Sequence, residues 1–380
     1  MVQRHYWQEL LERAWKQRSV LWLHGVRRVG KTSLCQSLPR IEYFDCELPS
    51  ARRRMEDPEA LLDGLHGKRI VLDEIHRLSN PSELLKIAAD HYRDVHIVAT
   101  GSSTLGASRR FRDTLTGRKR DVWLTPMCLP DLADAKQTNL ERRLLRGGLP
   151  PFLLERKMEE REFQEWMDSY WAKDIQEMFR LERKDPFQKL TEMVLAQSGG
   201  LFEATRFAGP CEVNRSTITN YLRVLEATFV AHVIRPFSAR RQSEIVSAPK
   251  VYGFDTGFVC AYRGWRELRR EDLGNLWEHF VLNEIMARTQ ARDVHYWRDK
   301  RGHEIDFVLL AHGGKPTAIE CKWSATGFDA RSLAAFRRQH PGGENVVLAA
   351  DVKAAFPRNY GTLKVRFEPL EEFVSRLAKT

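Results

Sequence analysis

The sequence predicts an α/β protein of several domains, with a parallel sheet at the amino end, a mostly helical middle and a second α/β region at the carboxyl end. Three observations predict this class. Short apolar runs alternate with helix-forming segments up to about residue 150, as in a parallel sheet covered on both faces. Helical patterns dominate residues 151–245, and strand-like runs return in residues 246–380 around one helical segment. A chain of 380 residues is long enough for two or three such domains.

Composition and charge narrow the choice of function. Lys and Arg total 61 against 51 Asp and Glu, a net charge of +10, which favours a polyanionic partner such as nucleic acid, although a solvated basic surface has the same charge. The six cysteines form no C-x-x-C pair, so neither a zinc site nor a disulfide framework is expected. No apolar run approaches the ~20 residues of a membrane span, and the amino end lacks a signal-peptide core. We therefore expect a cytoplasmic protein that does not bind membranes.

The segments of residues 1–150 occur in an order that favours parallel strand pairing. The predicted strands are SVLWLHG, IEYFDCEL, RIVLDEI and VHIVATGSS, and the predicted helices between them are KTSLCQSL, PEALLDGL and PSELLKIAADHY. Alternation of this kind is typical of a doubly wound sheet. The Gly/Pro-rich stretch LRGGLPPF then marks a boundary.

A phosphate-binding loop is predicted directly after the first strand. The stretch GVRRVGKT matches G-x-x-x-x-G-K-[ST] at every fixed position and lies between a strand and a helix, as this motif requires. Glycines let backbone N–H groups turn inward around phosphates, and the helix N-terminus favours anions. Lys31 can reach the β- and γ-phosphates, and the Thr32 hydroxyl can bind Mg²⁺. The residues predicted to bind ATP are Gly25, Val26, Arg27, Arg28, Val29, Gly30, Lys31, Thr32 and Ser33.

The third of the predicted strands, RIVLDEI, contains Asp73 and Glu74 near its end. In a doubly wound sheet, the carboxyl end of this strand meets the phosphate loop. Asp73 is therefore predicted to hold Mg²⁺ through water, and Glu74 to orient or deprotonate the water that attacks ATP. Alone, an Asp-Glu pair also suits a solvated strand end, but beside the phosphate loop it favours catalysis.

Two further features could complete this site. Ser102, which follows the strand VHIVATG, could hydrogen-bond the γ-phosphate or the attacking water, and an ordinary turn hydroxyl is the alternative. The basic stretch SRRFRDTLTGRKR could supply an arginine that reaches the nucleotide of a neighbouring subunit. We predict Arg118 in that role, with Arg110 and Arg112 as rivals and a solvated basic face as the alternative.

The middle segment has the order helix, turn, short helix, turn, helix, strand, which suits a winged helix-turn-helix. Asn214 is predicted to cap the last of these helices. That helix, NRSTITNYLRVLE, carries hydroxyl, Asn and Arg side chains away from its apolar face, which suits contacts with DNA phosphates and base edges. Arg240 and Arg241 would belong to the wing and bind phosphate. Packing against another protein is the alternative.

Two carboxylates face each other in the predicted carboxyl-terminal hairpin, GHEIDFVLLAHGGKPTAIECKW. Asp306 and Glu320 are equally distant from Gly313, so a symmetric register places their Cβ atoms roughly 5 Å apart, with Lys322 on the same face. Paired carboxylates repel unless a cation lies between them. Asp306 and Glu320 are therefore predicted to hold Mg²⁺ or Mn²⁺, and Lys322 to activate the water that attacks a phosphodiester. The alternative is a salt-bridged hairpin in which Glu304 satisfies Lys322.

In their order, these motifs resemble the prokaryotic AAA-type ATPases that carry a C-terminal domain of unknown function with a restriction-endonuclease-like core. The resemblance rests on GVRRVGKTSL, IVLDEIHRL, ATGSSTL, LTGR, RGGLP, YLRVLEATFVAHVIRPFS, PKVYGFDTGF, NLWEHFVLNEI, YWRDKRGHEIDFVL and IECKW, and covers most of the chain. It implies a P-loop AAA-type ATPase domain at 1–150, a helical and winged helix-turn-helix domain at 151–245, and a PD-(D/E)XK nuclease-like domain at 246–380. AAA ATPases generally assemble, which implies a homo-oligomer such as a hexameric ring.

The same resemblance extends to the carboxyl-terminal site. The pattern of Asp306, Glu320 and Lys322 looks like the catalytic signature of PD-(D/E)XK nucleases, although Ile305 replaces the proline of that name. The family implies a helical carboxylate as a further metal ligand, and Glu278 in NLWEHFVLNEI is the candidate. Glu284, and an ion pair between Glu278 and Arg298, are the alternatives.

Three hypotheses of function follow from these features. The first is an ATP-hydrolysing protein that processes DNA and cuts it at a metal site. The second is a DNA-dependent ATPase motor that acts on branched or junction DNA and whose nuclease-like domain does not cut. The third is a nucleotide-regulated switch that binds a protein partner. The basic charge and the predicted winged helix favour the first two.

Overall fold

The computed structural model describes residues 2–101, 109–155, 159, 161–176, 179, 181, 183–237, 248–310 and 314–377, and for residues 109, 110 and 112 it describes the backbone alone. The chain groups into two compact units. Unit 1 comprises Met1–Thr138, Leu149–Lys184 and Arg223–Val230, and unit 2 comprises Asn139–Gly148, Asp185–Leu222 and Ala231–Thr380. The division into three domains stays a prediction. No helix in the described part of the chain is long and apolar enough to cross a membrane.

Unit 1 is built around a parallel sheet. In the described residues its strands are β1 (Val20–His24), β2 (Ile41–Asp45), β3 (Arg69–Asp73), β4 (His96–Thr100) and β5 (Lys119–Trp123). Their spatial order is β2-β3-β4-β1-β5, and every neighbouring pair is parallel. The predicted parallel sheet is therefore confirmed. Because parallel strands run in one direction, β1, β3 and β4 have their carboxyl ends on the same side of the sheet.

Helices cover the sheet of unit 1 and bury its apolar strands. The strands have apolar side chains on both faces, as in β1, where Val20, Leu21, Trp22 and Leu23 are all buried. Both faces of the sheet therefore need a cover of helices. The helices of this unit span His5–Trp15, Lys31–Gln36, Pro49–Arg54, Pro58–Asp63, Pro81–His91, Arg109–Leu115, Leu129–Asp134, Pro150–Leu154 and Arg161–Tyr170, and a π-helical turn follows at Trp171–Gln176.

The middle of the chain forms helices with a small antiparallel sheet. The helices span Lys184–Ala196, Ala204–Ala208 and Arg215–Ala227, and the strands are β6 (Gly200–Leu201), β7 (Ala231–Pro236) and β8 (Lys250–Gly253). Strand β8 pairs antiparallel with both β6 and β7. The predicted helix order is confirmed. The two-residue strand β6 was not predicted, because a run that short has no periodicity to detect.

The last of these middle helices, Arg215–Ala227, has one buried and one exposed face. The Asn214 side chain accepts a hydrogen bond from the Thr217 amide at 2.8 Å, which confirms the predicted cap. Ile218 and Leu225 are fully buried, whereas Arg215 is exposed. The amphipathic pattern read from the sequence therefore has the expected orientation.

The carboxyl-terminal part of unit 2 extends the same sheet. Its further strands are β9 (His295–Arg298), β10 (Glu304–Leu310), β11 (Pro316–Lys322), β12 (Asn345–Ala349), β13 (Phe356–Tyr360) and β14 (Leu363–Glu368), and the helices of unit 2 around them span Leu140–Arg146, Thr256–Tyr262, Leu273–Thr289, Arg331–Gln339 and Leu370–Leu377. Across the described residues the strand order is β13-β14-β12-β11-β10-β9-β7-β8-β6. Strands β10 and β11 are antiparallel, whereas β12 is parallel to β11.

The predicted hairpin register is confirmed. Phe307 lies opposite Ile319, and Val308 lies opposite Ala318. The same register, continued by one residue, sets Asp306 opposite Glu320. A symmetric hairpin follows from the apolar alternation on both strands, since a shift by one residue would turn the buried side chains outward.

Two buried histidines make unit 2 sensitive to acid. His232 and His279 are almost fully buried, and burial lowers the pKa of each to about 3. In the unfolded chain a histidine has a pKa near 6.5. Below that value the unfolded state binds more protons, so the stability contributed by the neutral histidines is complete above about pH 6.5 and decreases as the pH falls toward 3.

We therefore expect the free energy of unfolding of this unit to fall by about 1.4 kcal/mol per pH unit for each of the two histidines in that window. Urea denaturation at a series of pH values from 7.5 to 4.5 measures this slope. His279→Gln should reduce the slope by about 1.4 kcal/mol per pH unit, the contribution of one proton. Replacement of the exposed His91 by glutamine should leave the slope unchanged. An unchanged slope in His279→Gln would contradict the assignment.

Candidate functional site

The predicted phosphate loop connects β1 to the helix Lys31–Gln36. Gly25 has a φ of 151° and Gly30 a φ of 100°, both in the region that side chains disfavour. A Cβ atom on Gly25 would also lie 2.4 Å from the Leu124 carbonyl oxygen, so glycine is required there. Arg28, with a φ of 61°, has a left-handed conformation without being a glycine. Alternation of backbone conformation in such a loop turns successive N–H groups inward to form an anion-binding nest.

Lys31 begins the helix that follows the loop and extends back across it. Its Nζ donates to the carbonyl oxygens of Gly25 at 3.0 Å and Val26 at 3.2 Å. Burial lowers the pKa of Lys31, although the carboxylates of Glu74 and Asp174 oppose that shift. An ammonium group that is removed from water and held beside inward-facing amides is suited to bind phosphate oxygens.

Asp73 lies at the end of β3 and accepts hydrogen bonds from three hydroxyl groups. Thr32 Oγ1 donates to its Oδ2 at 2.8 Å, and the hydroxyls of Tyr43 and Thr100 donate to the same carboxylate. The structure thus brings together the hydroxyl and the carboxylate that the sequence assigned to Mg²⁺. Oxygen donors of this kind are the ligands that Mg²⁺ prefers, so the donor set fits the ion.

Glu74 follows Asp73 and has a left-handed backbone with a φ of 53°. Its amide donates to Thr100 Oγ1 at 3.1 Å, and its Oε2 lies 3.1 Å from His76 Nδ1. Burial alone would raise the pKa of Glu74, but the neighbouring His76 and Lys31 outweigh burial and lower it. Glu74 is therefore ionised at neutral pH, as a residue that accepts a proton from water must be.

A cavity of about 610 Å³ opens beside these residues, a volume typical of small-molecule sites. Its lining includes the polar residues Lys31, Thr32 and Glu74 and the apolar residues Met127 and Leu154. This mixed lining suits a ligand that carries both phosphates and an aromatic base.

Several residues of this site were not predicted from the sequence. Asp174 accepts from Arg27 Nε at 2.9 Å, and Trp166 Nε1 donates to the Arg27 carbonyl oxygen at 3.0 Å. Arg4 donates to the Val29 carbonyl oxygen at 2.9 Å. No motif marks these positions, because they come from distant segments and act on the loop through single hydrogen bonds.

The remaining predictions for this site have different outcomes. Ser102 lies outside the described residues, as do the side chains of Arg110 and Arg112. Arg118 precedes β5, and its Nε lies 2.8 Å from Asp90 Oδ1. The phosphate loop follows the carboxyl end of β1, and β5 is parallel to β1. Arg118, which precedes β5, therefore lies at the amino ends of the strands, on the opposite side of the sheet from the cavity of the same chain.

In unit 2, the carboxyl-terminal residues meet as the hairpin register predicted. Lys322 Nζ lies 2.8 Å from Glu320 Oε2 and 3.7 Å from Asp306 Oδ2, and the Cys321 amide donates to Asp306 at 2.8 Å. Burial, and then the charge of Asp306, raise the pKa of Glu320. Burial would lower the pKa of Lys322, but the two carboxylates outweigh it and raise the pKa. No described residue donates to Glu320 Oε1, which is buried.

A second lysine, which the sequence did not point to, joins the same cluster. Lys250 on β8 lies with its Nζ 2.5 Å from Glu304 Oε1 and 3.4 Å from Glu278 Oε1. Tyr252 donates a hydrogen bond to Glu278. The alternative hairpin pairing is therefore wrong in its partner, because Glu304 meets Lys250 rather than Lys322. The proposed ion pair of Glu278 with Arg298 is wrong as well, since Arg298 lies 3.7 Å from Glu304.

These contacts give no support to the prediction of a carboxyl-terminal metal site. In the described ranges, no group of three or more His, Cys, Asp or Glu side chains is arranged to hold a metal ion. The ammonium groups of Lys250 and Lys322 contact the carboxylates of Glu278, Asp306 and Glu320 instead. A site for Mg²⁺ or Mn²⁺ at these three carboxylates is therefore not supported.

Family models match three successive stretches of the chain. Residues 17–133 match the family model described as AAA domain. Residues 137–269 match a domain of unknown function, DUF8612, and residues 273–363 match another, DUF4143.

Two curated mycobacterial proteins are similar over most of the chain. An uncharacterised protein of Mycobacterium tuberculosis is 28% identical over 336 residues, which is 85% of this chain and 74% of that protein. A protein of Mycobacterium bovis matches with the same identity and coverage.

Similarity to solved structures is weaker. A Walker-type ATPase of Pyrococcus abyssi has a TM-score of 0.47 with 15% identity and covers 69% of this chain and 96% of its own. AMPPCP-bound DnaA of Aquifex aeolicus has a TM-score of 0.30 with 14% identity and covers 57% of this chain and 86% of its own. The match to the AAA domain model over residues 17–133, the parallel sheet and the phosphate loop together support an AAA-type P-loop ATPase fold in the amino-terminal part of this chain.

Proposed function

We propose that this protein hydrolyses ATP and uses the hydrolysis to act on DNA. The observation that carries the first half is the open cavity in unit 1, about 610 Å³ in volume, which Lys31, Thr32 and Glu74 line. Asp73 lies beside Thr32. A phosphate-binding loop, a magnesium donor set and an ionised carboxylate in one cavity are the parts that phosphoryl transfer to water requires.

Each of these residues has one role in the proposal. The loop amides and Lys31 hold the β- and γ-phosphates, and Thr32 and Asp73 hold Mg²⁺. When bound, Mg²⁺ neutralises the charge that develops on the transferring phosphoryl group. Glu74 orients the attacking water and accepts its proton, which its ionised state allows. The apolar residues of the cavity lining receive the adenine base.

An oligomer would complete the site. Arg118 lies at the amino ends of the strands, and the cavity of the same chain lies at their carboxyl ends. Arg118 can therefore meet only the nucleotide of another subunit. A guanidinium group there stabilises the negative charge of the transition state. Assembly of several copies, as in a hexameric ring, is the arrangement in which Arg118 would act in trans, after exchanging its ion pair with Asp90 for the phosphate.

The proposed action on DNA is supported by the middle of the chain. The order of helices Lys184–Ala196, Ala204–Ala208 and Arg215–Ala227 with strands β6, β7 and β8 fits the proposed winged helix. The last helix exposes Arg215 beside a cap of hydroxyl groups, and the chain carries a net charge of +10. Basic and small polar side chains on an exposed helix fit the DNA major groove. Arg240 and Arg241 lie outside the described residues.

The carboxyl-terminal part favours recognition of DNA over cutting. This part contains a helix, the strands β9, β10 and β11, a second helix and the strand β12 parallel to β11, an order that fits the proposed restriction-endonuclease-like core. Within it, however, Lys250 and Lys322 already form ion pairs with the carboxylates. The alternative, metal-dependent cleavage, is favoured by one observation, the buried Glu320 Oε1 to which no described residue donates.

A panel of DNA substrates separates these functions. We expect duplex, forked and four-way DNA to bind with an affinity that falls steeply with salt, to raise the rate of ATP hydrolysis, and to remain intact with Mg²⁺ or Mn²⁺. Arg215→Ala should weaken DNA binding about three- to tenfold. Replacement of the exposed Arg331, on another helix, should not.

The same panel run with Asp306→Ala tests cleavage. Cutting by the wild type that is lost in Asp306→Ala would establish the nuclease alternative and overturn the non-cutting proposal. If none of the DNA substrates raised ATP turnover or showed salt-dependent binding, the DNA half of the proposal would be wrong, and a partner protein would have to be sought.

A further inference from the structure

The phosphate loop contains two left-handed residues, and the carbonyl before each is held by a side chain from outside the loop. Arg28 has a φ of 61° and Gly30 a φ of 100°. Trp166 Nε1 donates to the carbonyl oxygen of Arg27 at 3.0 Å. Arg4 Nη1 donates to the carbonyl oxygen of Val29 at 2.9 Å. The same arrangement thus occurs twice within four residues.

Covalent geometry links each of these hydrogen bonds to the amide that follows. In a trans peptide the C=O and the next N–H point in opposite directions, and no described peptide bond is cis. A carbonyl that is held outward therefore directs the N–H of Arg28, or of Gly30, to the inner side of the loop. No described residue accepts a hydrogen bond from either of these amides, so both are available to a phosphate.

The conformation of Arg28 shows why an outside contact is needed. A residue with a side chain disfavours a positive φ, and such a conformation persists where its surroundings fix it. Rotation of the peptide between Arg27 and Arg28 changes the φ of Arg28, and Trp166 fixes that peptide. Asp174, from the turn that follows the helix of Trp166, binds the Arg27 side chain at 2.9 Å and fixes the same residue a second time.

Both donors are themselves rigid. Trp166 is fully buried, and Arg4 is 5% exposed. The guanidinium group of Arg4 is bound by Asp131 through Nε at 2.9 Å and Nη2 at 2.5 Å, and it also donates to the Thr125 carbonyl oxygen at 3.1 Å. Donors with fixed positions can impose a geometry on the loop before any ligand arrives.

We propose that Trp166 and Arg4 are positioning residues of the phosphate loop, which hold the carbonyls of Arg27 and Val29 outward so that the amides of Arg28 and Gly30 are directed to the phosphates. The inference rests on the proposed binding of ATP and names residues that the phosphate-loop motif does not contain. It makes the helix Arg161–Tyr170 part of the nucleotide site, although Trp166 is not among the residues that line the cavity.

Trp166→Phe tests the proposal, because it removes the indole N–H and keeps an aromatic ring in the core. We expect the affinity for ATP and for pyrophosphate, measured by titration calorimetry, to fall about three- to tenfold, the range of one lost hydrogen bond. The KM for ATP should rise by the same factor, and kcat should stay within about twofold. Arg4→Lys, which loses the planar guanidinium, should shift pyrophosphate affinity in the same direction.

Trp15→Phe is the matched control. Trp15 Nε1 donates to a backbone carbonyl as Trp166 does, but to that of Ile97 at 3.3 Å, at the amino end of β4. Both variants should lower the thermal unfolding midpoint by similar amounts, and only Trp166→Phe should lose affinity for pyrophosphate. Wild-type affinity in Trp166→Phe, or an equal loss in Trp15→Phe, would overturn the inference. Wild-type protein that binds neither ATP nor pyrophosphate would instead overturn the proposed function itself.

Discussion

Replacement of Glu74 by glutamine is expected to lower kcat for ATP hydrolysis at least about 100-fold, while the affinity for ATP stays within about threefold of the wild-type value. The amide keeps the size and planar shape of the carboxylate but has no charge and cannot accept a proton from water. Glu74 lines the cavity but lies outside the phosphate loop, so binding should be preserved. Steady-state kinetics together with titration calorimetry measure the two effects separately.

Glu47 provides a control for this result. It lines the same cavity, and its carboxylate is 57% exposed and lies 3.7 Å from Arg77. Glu47→Gln removes an equal charge from the cavity without touching the proposed catalytic carboxylate, so its kcat should stay close to that of the wild type. Lys31→Ala supplies the opposite control, because it should abolish nucleotide binding. Normal turnover in Glu74→Gln would show that another group activates the water.

The amino-terminal site could be predicted largely from the sequence, because its chemistry is concentrated in two short stretches. Between Gly25 and Thr32 the motif fixes both spacing and residue type, and Asp73-Glu74 ends a strand of recognisable pattern. Trp166 and Asp174 could not be predicted in the same way. They lie 139 and 147 residues from Arg27, and nothing in the local pattern of a tryptophan or an aspartate in a helical segment indicates its partner.

The carboxyl-terminal site shows the same division between local and distant information. A hairpin register depends on alternation and loop length within about twenty residues, so the pairing of Asp306 with Glu320 could be predicted. The charge balance of the site depends also on Lys250, which lies on β8, 28 residues before Glu278. A lysine in a strand indicates an exposed or edge position on average, and only the fold reveals that this one is buried among carboxylates.

Replacement of Lys250 by methionine is expected to destabilise unit 2 by about 2–3 kcal/mol. Lys250 is 5% exposed, and its Nζ contacts Glu304 at 2.5 Å and Glu278 at 3.4 Å. Burial would lower the pKa of Lys250, but these carboxylates and Asp306 outweigh it, so the lysine is charged. Removal of one charge from a buried ion pair leaves the opposite charge uncompensated, at a cost of about 3–5 kcal/mol. We take a lower value because Glu304 is 27% exposed.

Urea denaturation, followed by hydrogen exchange at β10 and β11, measures this loss in the unit concerned. Lys364→Met is the matched control, since Lys364 is exposed on β14, and it should change the free energy of unfolding by less than about 0.5 kcal/mol. A second substitution, Glu278→Gln, should restore part of the stability lost in Lys250→Met, because it removes a carboxylate that has lost its partner. The double variant therefore separates charge compensation from packing. If the lysine contributed only its hydrocarbon stem, methionine would already replace it, and Glu278→Gln would add a further loss instead of a recovery.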